Sequence, residues 1–444
     1  MKKATTVLCF LCVLTIFNIH SAYSHQSPAQ SGAQLPNPLL VLYNAAKTGD
    51  SGKYFAAGIE LQAREKEYLE SPEAAGYIQN IAMYHSIIGE YHQALSGFDH
   101  LRPPNTSQPS SNQQSSPLDG YTPQNAFQVI ESTADIRQVI FINEAHHVPR
   151  HRAFTLQLLK VLYQKGFRYF AAETLSDADA ELGRRGYPLF GKTGIYTNEP
   201  VYGDLVRTAL KLGYTVVPYE ENSPCSPDEK DPDSCIKKRE RGQAQHLYDR
   251  ILAKDSKAKI LVHAGYSHIN KGGFGRGLLS MAQNFKEISG IEPFSIDQVQ
   301  MMEHSSPDYE KPVYGQAIQP GRVTEPTIFQ SKDGKLFVEE KHRSNYDAQI
   351  FHPRSKTKSG RPDWLLMGGL RKPYKFPKDL CHNTFPCLVQ ALLPDEGNGA
   401  VPVDQVTISS GKQIPALVLP PGPFLIRAVD QSGKVIASRQ VMVN

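Results

Sequence analysis

The sequence predicts an α/β fold, with a central and largely parallel sheet that is flanked by helices. Three observations predict it. Strand-like and helix-like segments alternate between residues 126 and 304, the strand-like segments are apolar enough to be buried on both faces, and polar residues follow directly where several of them end. Such alternation is typical of βαβ units, whose crossover helices cover the faces of a parallel sheet.

Each element of this region is predicted from its local pattern. Short apolar runs rich in β-branched and aromatic residues predict strands, and longer amphipathic runs predict helices. The predicted strands are 138–142, 168–172, 215–219, 259–262 and 293–299, and the predicted helices are 150–165, 201–212, 236–254 and 276–288.

The first 24 residues are predicted to be a secretory signal peptide. Two lysines precede an apolar run over 7–17, and Ala22 and Ser24 place small residues before a cleavage site near His25. This order of charged, apolar and small residues is that of a signal. We therefore expect an exported protein, periplasmic or secreted, with no membrane span after the signal is removed.

Residues 25–102 are predicted to be helical, with one amphipathic helix over 54–69 and a helical hairpin over 74–98. The hairpin resembles a single tetratricopeptide repeat. Because such repeats usually need about three units to bury their faces, two roles stay open: a helical cap on the next domain, or a surface that binds a protein partner. The residues at the repeat's small and large positions are Ala82, Gly89, Tyr91, Ala94 and Phe98.

Two further segments flank the α/β domain. Residues 103–125 are rich in Pro, Ser, Gln and Asn and have little to bury, which indicates a flexible linker. In residues 305–444 short β-like runs replace the helical pattern, and we expect a small β domain of the sandwich type that ends in a hairpin. The runs lie at 335–339, 401–408, 415–419, 424–429 and 435–443.

Charge and cysteine content narrow the class of protein. A formal net charge of +4 over 444 residues gives no indication of nucleic-acid binding. Outside the signal, Cys225 and Cys235 form one local pair and Cys381 and Cys387 another. In an exported protein these predict disulfides, although the sequence leaves other pairings open. Neither spacing is the two-residue gap of a zinc knuckle.

Acidic and histidine side chains follow the ends of four predicted strands. In a parallel sheet these ends open into one crevice, where ligands bind, so we expect one shared site. A buried carboxylate there needs a metal, an imidazole or an arginine as its partner; for Glu173 the arginine would be Arg152 or Arg168. The strand-end residues are Glu144, His146, Glu173, Glu220, His263 and His268.

His146 is the preferred general base, since a neutral imidazole acts near neutral pH. With a divalent metal ion present, Glu144, His146, Glu173 and His268 would instead be its ligands. The same four residues are the predicted catalytic set, in which Glu144 and Glu173 hold ions or fix the imidazole.

Three other positions near the strand ends have predicted roles. Tyr266 carries a phenol that can stabilise an oxyanion or bind haem iron. His151 opens the next helix, where it orients the site or lies at the surface. Ser267 lacks the closing Gly of a nucleophile elbow. Residues 239–241 are expected to form an exposed helix face, with an arginine that reaches the site as the alternative.

Residues 126–304 resemble the superfamily that joins ChaN haem-binding lipoproteins, TIKI metallopeptidases and erythromycin esterases. Its mark is a pair of Gly-x-x-His elements with a Glu on a strand between them. The resemblance places the family's Glu and His on Glu144 and His146, its middle Glu on Glu173 and its second His on His268. Asn143 stands where the family usually has Gly; because Asn visits left-handed backbone more readily than most residues, we expect the turn to survive.

Three alternative functions stay open, and the resemblance supports the first two. The leading hypothesis is an exported hydrolase of an ester or peptide, acting on a small-molecule or peptide substrate through His146 or a divalent metal. The second is a haem or iron binder that uses Tyr266, His263 or His151. The third is a non-enzymatic protein that binds a partner through its flanking regions.

Overall fold

The computed structural model describes residues 35–101, 103–104, 116–223, 231, 233–275, 277–319 and 321–444. The predicted signal peptide, residues 105–115 of the predicted linker, and Cys225 lie outside the described residues. Among the described helices, none combines the length and the apolar character that crossing a membrane requires.

The elements are numbered in chain order. The α-helices are α1 (Pro38–Lys47), α2 (Ser51–Ala63), α3 (Glu65–Leu69), α4 (Ala74–Ile87), α5 (Tyr91–Asp99), α6 (Ala126–Ile136), α7 (Pro149–Gln164), α8 (Leu182–Arg185), α9 (Pro200–Leu212), α10 (Ser234–Leu247), α11 (Met281–Ser289) and α12 (Pro312–Ile318). The first strands are β1 (Tyr121–Asn125), β2 (Val139–Glu144), β3 (Tyr169–Ala172), β4 (Thr215–Pro218), β5 (Ile260–Gly265), β6 (Phe294–Asp297), β7 (Thr327–Ser331) and β8 (Ala348–Gln349). The later strands are β9 (Thr357–Lys358), β10 (Arg361–Pro362), β11 (Lys372–Tyr374), β12 (Cys387–Leu392), β13 (Asp404–Ile408), β14 (Leu417–Leu419), β15 (Gly422–Val429) and β16 (Val435–Val443).

A six-stranded parallel sheet with strand order β4-β3-β5-β2-β6-β8 forms the centre of the molecule, which confirms the predicted fold class. Every residue of β2 and β5 is buried, as expected for central strands covered on both faces. Helices α7 and α9 pack with the core on one face, and α10 and α11 with the core on the other. The carboxyl ends of β2, β3 and β5 therefore lie side by side at one edge.

Several predicted boundaries differ from the structure. The sheet continues beyond residue 304, because β8 pairs with β6. Helix α11 starts at Met281 rather than 276, since Ser280 caps its first turn in a capping box. The end of the predicted linker is not flexible: β1 pairs with β7, and Leu118 is buried. The predicted strand over 335–339 is not formed, and β7 precedes it.

The helical segment at the start of the chain contacts both other regions. The helix predicted over 54–69 is interrupted at Arg64, whereas the hairpin is present as α4 and α5. Tyr91 packs its ring 5.1 Å from that of Trp364. Gln405 of the C-terminal region donates a hydrogen bond of 2.6 Å to the carbonyl oxygen of Ile87. The helical segment is therefore packed against the rest of the chain.

The C-terminal region contains a four-stranded antiparallel sheet in the order β13-β12-β15-β16, which confirms a small β region. Its last two strands form the predicted hairpin, and β11 and β14 pair separately beside it. The disulfide between Cys381 and Cys387 is present, with a Cα–Cα distance of 6.0 Å. Cys235 is also disulfide-bonded.

Replacing Gly58 by alanine is expected to destabilise the helical segment. A Cβ atom at Gly58 would lie 2.0 Å from the ring of Tyr84, whereas one at Gly97 would find its nearest neighbour at 3.8 Å. Overpacking of this kind typically costs ~1–3 kcal/mol. We predict a lower free energy of unfolding for Gly58→Ala and no loss for the control Gly97→Ala, measured by denaturant titration. Equal stability of the two variants would contradict the packing described.

Candidate functional site

The predicted strand-end residues lie together at one edge of the sheet, as their positions at the ends of parallel strands lead us to expect. Glu144 is the last residue of β2 and lies beside Gly265, the last residue of β5. Glu173 follows β3 directly, and one of its carboxylate oxygens accepts a hydrogen bond from the backbone N–H of Gly265. Two buried carboxylates thus flank one glycine.

Glu144 is held by an arginine and two imidazoles. Arg152, from the first turn of α7, donates from Nε at 2.6 Å and from Nη2 at 2.8 Å, so the pair is bidentate. His146 Nδ1 lies 3.0 Å from Oε1, and His263 Nε2 lies 2.8 Å from Oε2. Burial tends to raise the pKa of Glu144, but Arg152, His146 and His263 together outweigh burial and hold it well below its usual range. Glu144 is therefore ionised.

Arg152 also fixes the surroundings of the site. Its Nη1 donates to Glu199 at 3.2 Å, and its Nη2 donates to the carbonyl oxygen of His146 at 2.8 Å. Glu199 in turn accepts hydrogen bonds from the first backbone N–H groups of α9. One guanidinium thus joins β2, α9 and the backbone that carries His146.

A second arginine holds Glu173. Arg239, on α10, donates from Nη2 to Glu173 at 2.9 Å and makes a bidentate pair with Glu220 at 2.9 Å for both bonds. Burial tends to raise the pKa of Glu173, but the charges of His268, Arg239 and His146 lower it to about 2. For residues 239–241 the sequence left open two alternatives, an exposed helix face or an arginine that reaches the site. The exposed face is wrong at Arg239 and Glu240, which are buried, and Arg239 is the arginine that reaches the site.

His268 lies between Glu173 and Glu240. Its Nδ1 is 2.6 Å from Glu240 Oε1, and its Nε2 is 3.6 Å from Glu173 Oε1 and 2.9 Å from Arg239 Nη1. Burial tends to lower the pKa of His268, but Glu240 and Glu173 outweigh burial and Arg239 and raise it. The two carboxylates thus favour the protonated form of this ring.

His146 is the most accessible member of the predicted catalytic set. Its side chain is 15% exposed, against 2% for Glu144 and Glu173 and 9% for His268. The ring stacks on Tyr196 at 3.8 Å. A Cβ atom on Gly265 would lie 2.5 Å from His146 Nε2 and 2.9 Å from Glu173 Oε2. Only glycine fits at this position, and it lets Nε2 approach Glu173.

A cavity of about 710 Å³ opens in front of His146. It lies between the sheet edge and the helical segment and has a largely apolar lining. His146, Tyr266 and Glu220 are among its lining residues. Thr174 and Tyr266, which follow β3 and β5, have positive φ angles of 67° and 40°. Strained backbone of this kind clusters at functional sites.

The other predicted residues lie behind this surface. His263 is fully buried between Glu144 and Thr155. His151 is also fully buried; its Nδ1 accepts a hydrogen bond of 3.0 Å from the backbone N–H of Ala145, and burial lowers its pKa to about 3. His151 therefore orients the loop that carries His146 and does not lie at the surface.

Asn143 does not form the left-handed turn that was expected of it. It lies within β2, where its amide donates hydrogen bonds of 2.9 Å to Asp297 and to the carbonyl oxygen of Tyr266. Its Oδ1 accepts one from the backbone N–H of Gln298 at 2.8 Å. These hydrogen bonds of Asn143 thus connect the end of β2 to β6 and to the loop after β5.

The side chains that meet here form no metal site, and of the three predicted haem ligands one faces the cavity. Within the described part of the chain, no group of three or more His, Cys, Asp or Glu side chains is placed to hold a metal ion. Glu144 and Glu173 direct their oxygens at guanidinium groups, whose charge opposes a cation. For haem, Tyr266 lines the cavity, whereas His263 and His151 are fully buried behind it and cannot reach an iron atom there.

The predicted pairing of Glu173 with Arg152 or Arg168 is wrong, because Arg152 pairs with Glu144 and Arg239 pairs with Glu173. Sequence reasoning also missed Glu240 beside His268. A usable signal existed for the pair of Arg152 and Glu144. Arg152 lies eight residues after Glu144, in the first turn of α7. Because the loop between β2 and α7 is short, the acid at the strand end and this arginine lie close together.

Comparison with known proteins gives no family. No protein-family model matches the chain, and no curated protein matches it in sequence. Among solved structures, the type III effector HopBA1 is similar over 56% of this chain and 100% of its own, at 13% identity and a TM-score of 0.29. RRSP, a MARTX toxin effector domain from Vibrio vulnificus, is similar over 62% of this chain and 66% of its own, at 12% identity and a TM-score of 0.32. A structure of bacterial protein toxins is similar over 69% of this chain and 65% of its own, at 13% identity and a TM-score of 0.32. This chain thus spans just under two thirds of the last two, and TM-scores this low support no inference about activity.

Replacing Arg152 by methionine is expected to destabilise the protein strongly. The change leaves Glu144 and Glu199 buried without their cation, and breaking a buried pair in this way typically costs ~3–5 kcal/mol. The control is Arg184→Met, because Arg184 is 84% exposed in its pair with Glu181 and such pairs contribute about 0–1 kcal/mol. Denaturant unfolding measures both. A loss of unfolding free energy for Arg152→Met no larger than that of the control would contradict the buried ion pairs of Arg152.

The pKa of Glu173 predicts how its contribution to stability depends on pH. Since the pKa is depressed in the folded protein, from 4.5 to about 2, the contribution is fully present above pH 4.5 and is lost as the pH falls towards 2. The shift corresponds to roughly 3 kcal/mol. The difference in unfolding free energy between the wild type and Glu173→Gln, measured from pH 7 to pH 2, is expected to shrink by that order below pH 4.5. A difference in unfolding free energy that does not change with pH would contradict the depressed pKa of Glu173.

Proposed function

We propose that this protein is a hydrolase in which His146 activates water to cleave an ester or amide bond. The observation that carries the proposal is the position of His146. Its ring lines the cavity, and behind the ring its Nδ1 lies 3.0 Å from Glu144 Oε1. Export and a relation to the ChaN, TIKI and erythromycin esterase superfamily belong to the same proposal.

Glu144 sets the state of the His146 ring. An ionised carboxylate can only accept, so the proton of the neutral imidazole resides on Nδ1 and Nε2 keeps its lone pair. This is the role of the aspartate in a Ser-His-Asp triad, where the carboxylate fixes the tautomer and stabilises the imidazolium. Nε2 is then free to take a proton from water.

Glu173 supports the same step by its charge. It lies across Gly265 from Nε2, and its low pKa keeps it negative. As the water oxygen attacks the carbonyl carbon, its proton passes to Nε2 and the ring becomes positive. The fixed negative charge of Glu173 nearby stabilises this positive charge as it forms. The proton then passes from Nε2 to the leaving oxygen or nitrogen.

Tyr266 is placed to assist the substrate oxygen. Its ring lies 5.0 Å from that of His146, at right angles, and it lines the cavity. Its hydroxyl is 3.3 Å from His147 Nδ1. A phenol at this point can donate a hydrogen bond to the oxyanion that forms when water attacks. Because the carboxylates already face arginines, no step is assigned to a metal ion.

Replacing His146 by alanine is expected to abolish hydrolysis and leave the fold intact. Loss of a general base typically lowers the rate by about 10²–10⁴-fold. The control is His92→Ala, since His92 is exposed on α5. A panel of 4-nitrophenyl esters and small peptides supplies the substrates, and circular dichroism checks the fold. Unchanged turnover in His146→Ala, or no hydrolysis by the wild type of any ester or amide in the panel, would overturn the proposal.

A further inference from the structure

The proposed chemistry does not use the apolar part of the cavity. We infer that the substrate is an ester or amide with a bulky apolar group, and that this group lies against the N-terminal helices. The inference rests on the proposed function and names its substrate class. It also gives the helical segment a role in choosing the substrate.

The helical segment supplies one apolar wall of the cavity. Leu39 and Tyr43 come from α1 and Met83 from α4. The facing wall is the stretch between β3 and α9, which contributes Phe190 and Ile195. Neither wall belongs to the sheet edge that holds the catalytic side chains. The apolar space therefore extends away from His146 towards the helices.

The size and composition of this space indicate its ligand. Pockets that hold drug-sized ligands measure about 300–1,000 Å³ and are lined mainly by hydrophobic and aromatic groups, with a few polar groups that fix orientation. The present cavity, at about 710 Å³, has a mainly apolar lining. His146, Glu220 and Asn222 add polar groups to it, and Lys47, Gln79, Asn80 and Lys192 add others on its walls. A small acyl group such as acetyl would leave most of it unfilled.

The two walls are fixed to each other and to the site. Phe98, at the end of α5, stacks on His147 at 3.8 Å. Asp99 Oδ1 lies 2.6 Å from His304 Nδ1, and Asp99 Oδ2 accepts hydrogen bonds from the backbone and the hydroxyl of Ser305 at 2.8 and 2.7 Å. On the other side, a Cβ atom at Gly191 would lie 1.8 Å from the carbonyl oxygen of Ala46, so α1 and the facing wall touch through backbone.

Such anchoring means that the apolar wall is already formed before a ligand arrives. A preformed apolar surface favours longer acyl chains, because burying one methylene corresponds to about a fourfold gain in binding. The preformed wall therefore selects a substrate with an extended apolar part.

The test compares 4-nitrophenyl acetate, butyrate, hexanoate and octanoate. The wild type is expected to hydrolyse the octanoate at least tenfold more efficiently, by kcat/KM, than the acetate. In the double variant Tyr43→Gln/Met83→Gln this ratio is expected to fall at least fivefold, while turnover of the acetate changes less than twofold. The matched control is Leu69→Gln, because Leu69 is an exposed apolar residue of the same segment that does not line the cavity.

A binding measurement separates this inference from the proposed function. Octanamide is titrated by calorimetry into His146→Ala protein, with and without the two glutamine substitutions, and acetamide is the reference ligand. Saturable binding of octanamide that the substitutions weaken supports the apolar site even if the wild type hydrolyses nothing. Hydrolysis of all four esters with equal efficiency, or octanamide binding that the substitutions do not alter, overturns the inference and leaves the role of His146 standing.

Discussion

The bidentate contact between Arg152 and Glu144 is the interaction on which the rest of the site depends. A carboxylate at the end of a fully buried strand would otherwise be protonated or would cost several kcal/mol of stability. Arg152 keeps it charged, and through Glu199 and the backbone of His146 the same guanidinium positions α9 and the loop after β2. Arg239 repeats this arrangement at Glu173 and Glu220.

The two arginines decide what the carboxylates can do. With their oxygens directed at guanidinium groups, Glu144 and Glu173 act as fixed negative charges and not as ligands for a cation. Their remaining effect falls on imidazoles: Glu144 orients His146, and Glu173 places a fixed negative charge near it. A glycine between them, Gly265, leaves space for the ring. The proposed chemistry then depends on one partly exposed histidine in front of a mainly apolar cavity.

Much of the sheet and its edge could be predicted, because both follow from local patterns. Apolar runs that end in Glu or His identify the strands and the site together, as at Glu144 and Glu173. The arginine partners could not be predicted in the same way: Arg239 is 66 residues from Glu173, on a helix whose charged run Arg239-Glu240-Arg241 is typical of a solvated face. The pairing of β1 with β7 was missed for a similar reason, since 200 residues separate Asn125 from its partner side chain Glu325.

The tautomer of His146 tests the central claim most directly. Nitrogen-15 NMR of the histidine rings, assigned with His146→Gln as the reference, distinguishes a proton on Nδ1 from one on Nε2. If the arginine-held carboxylate fixes the ring, the neutral form carries its proton on Nδ1, and Glu144→Gln converts it to a mixture. A neutral ring protonated on Nε2, or a tautomer unaffected by Glu144→Gln, would contradict the account.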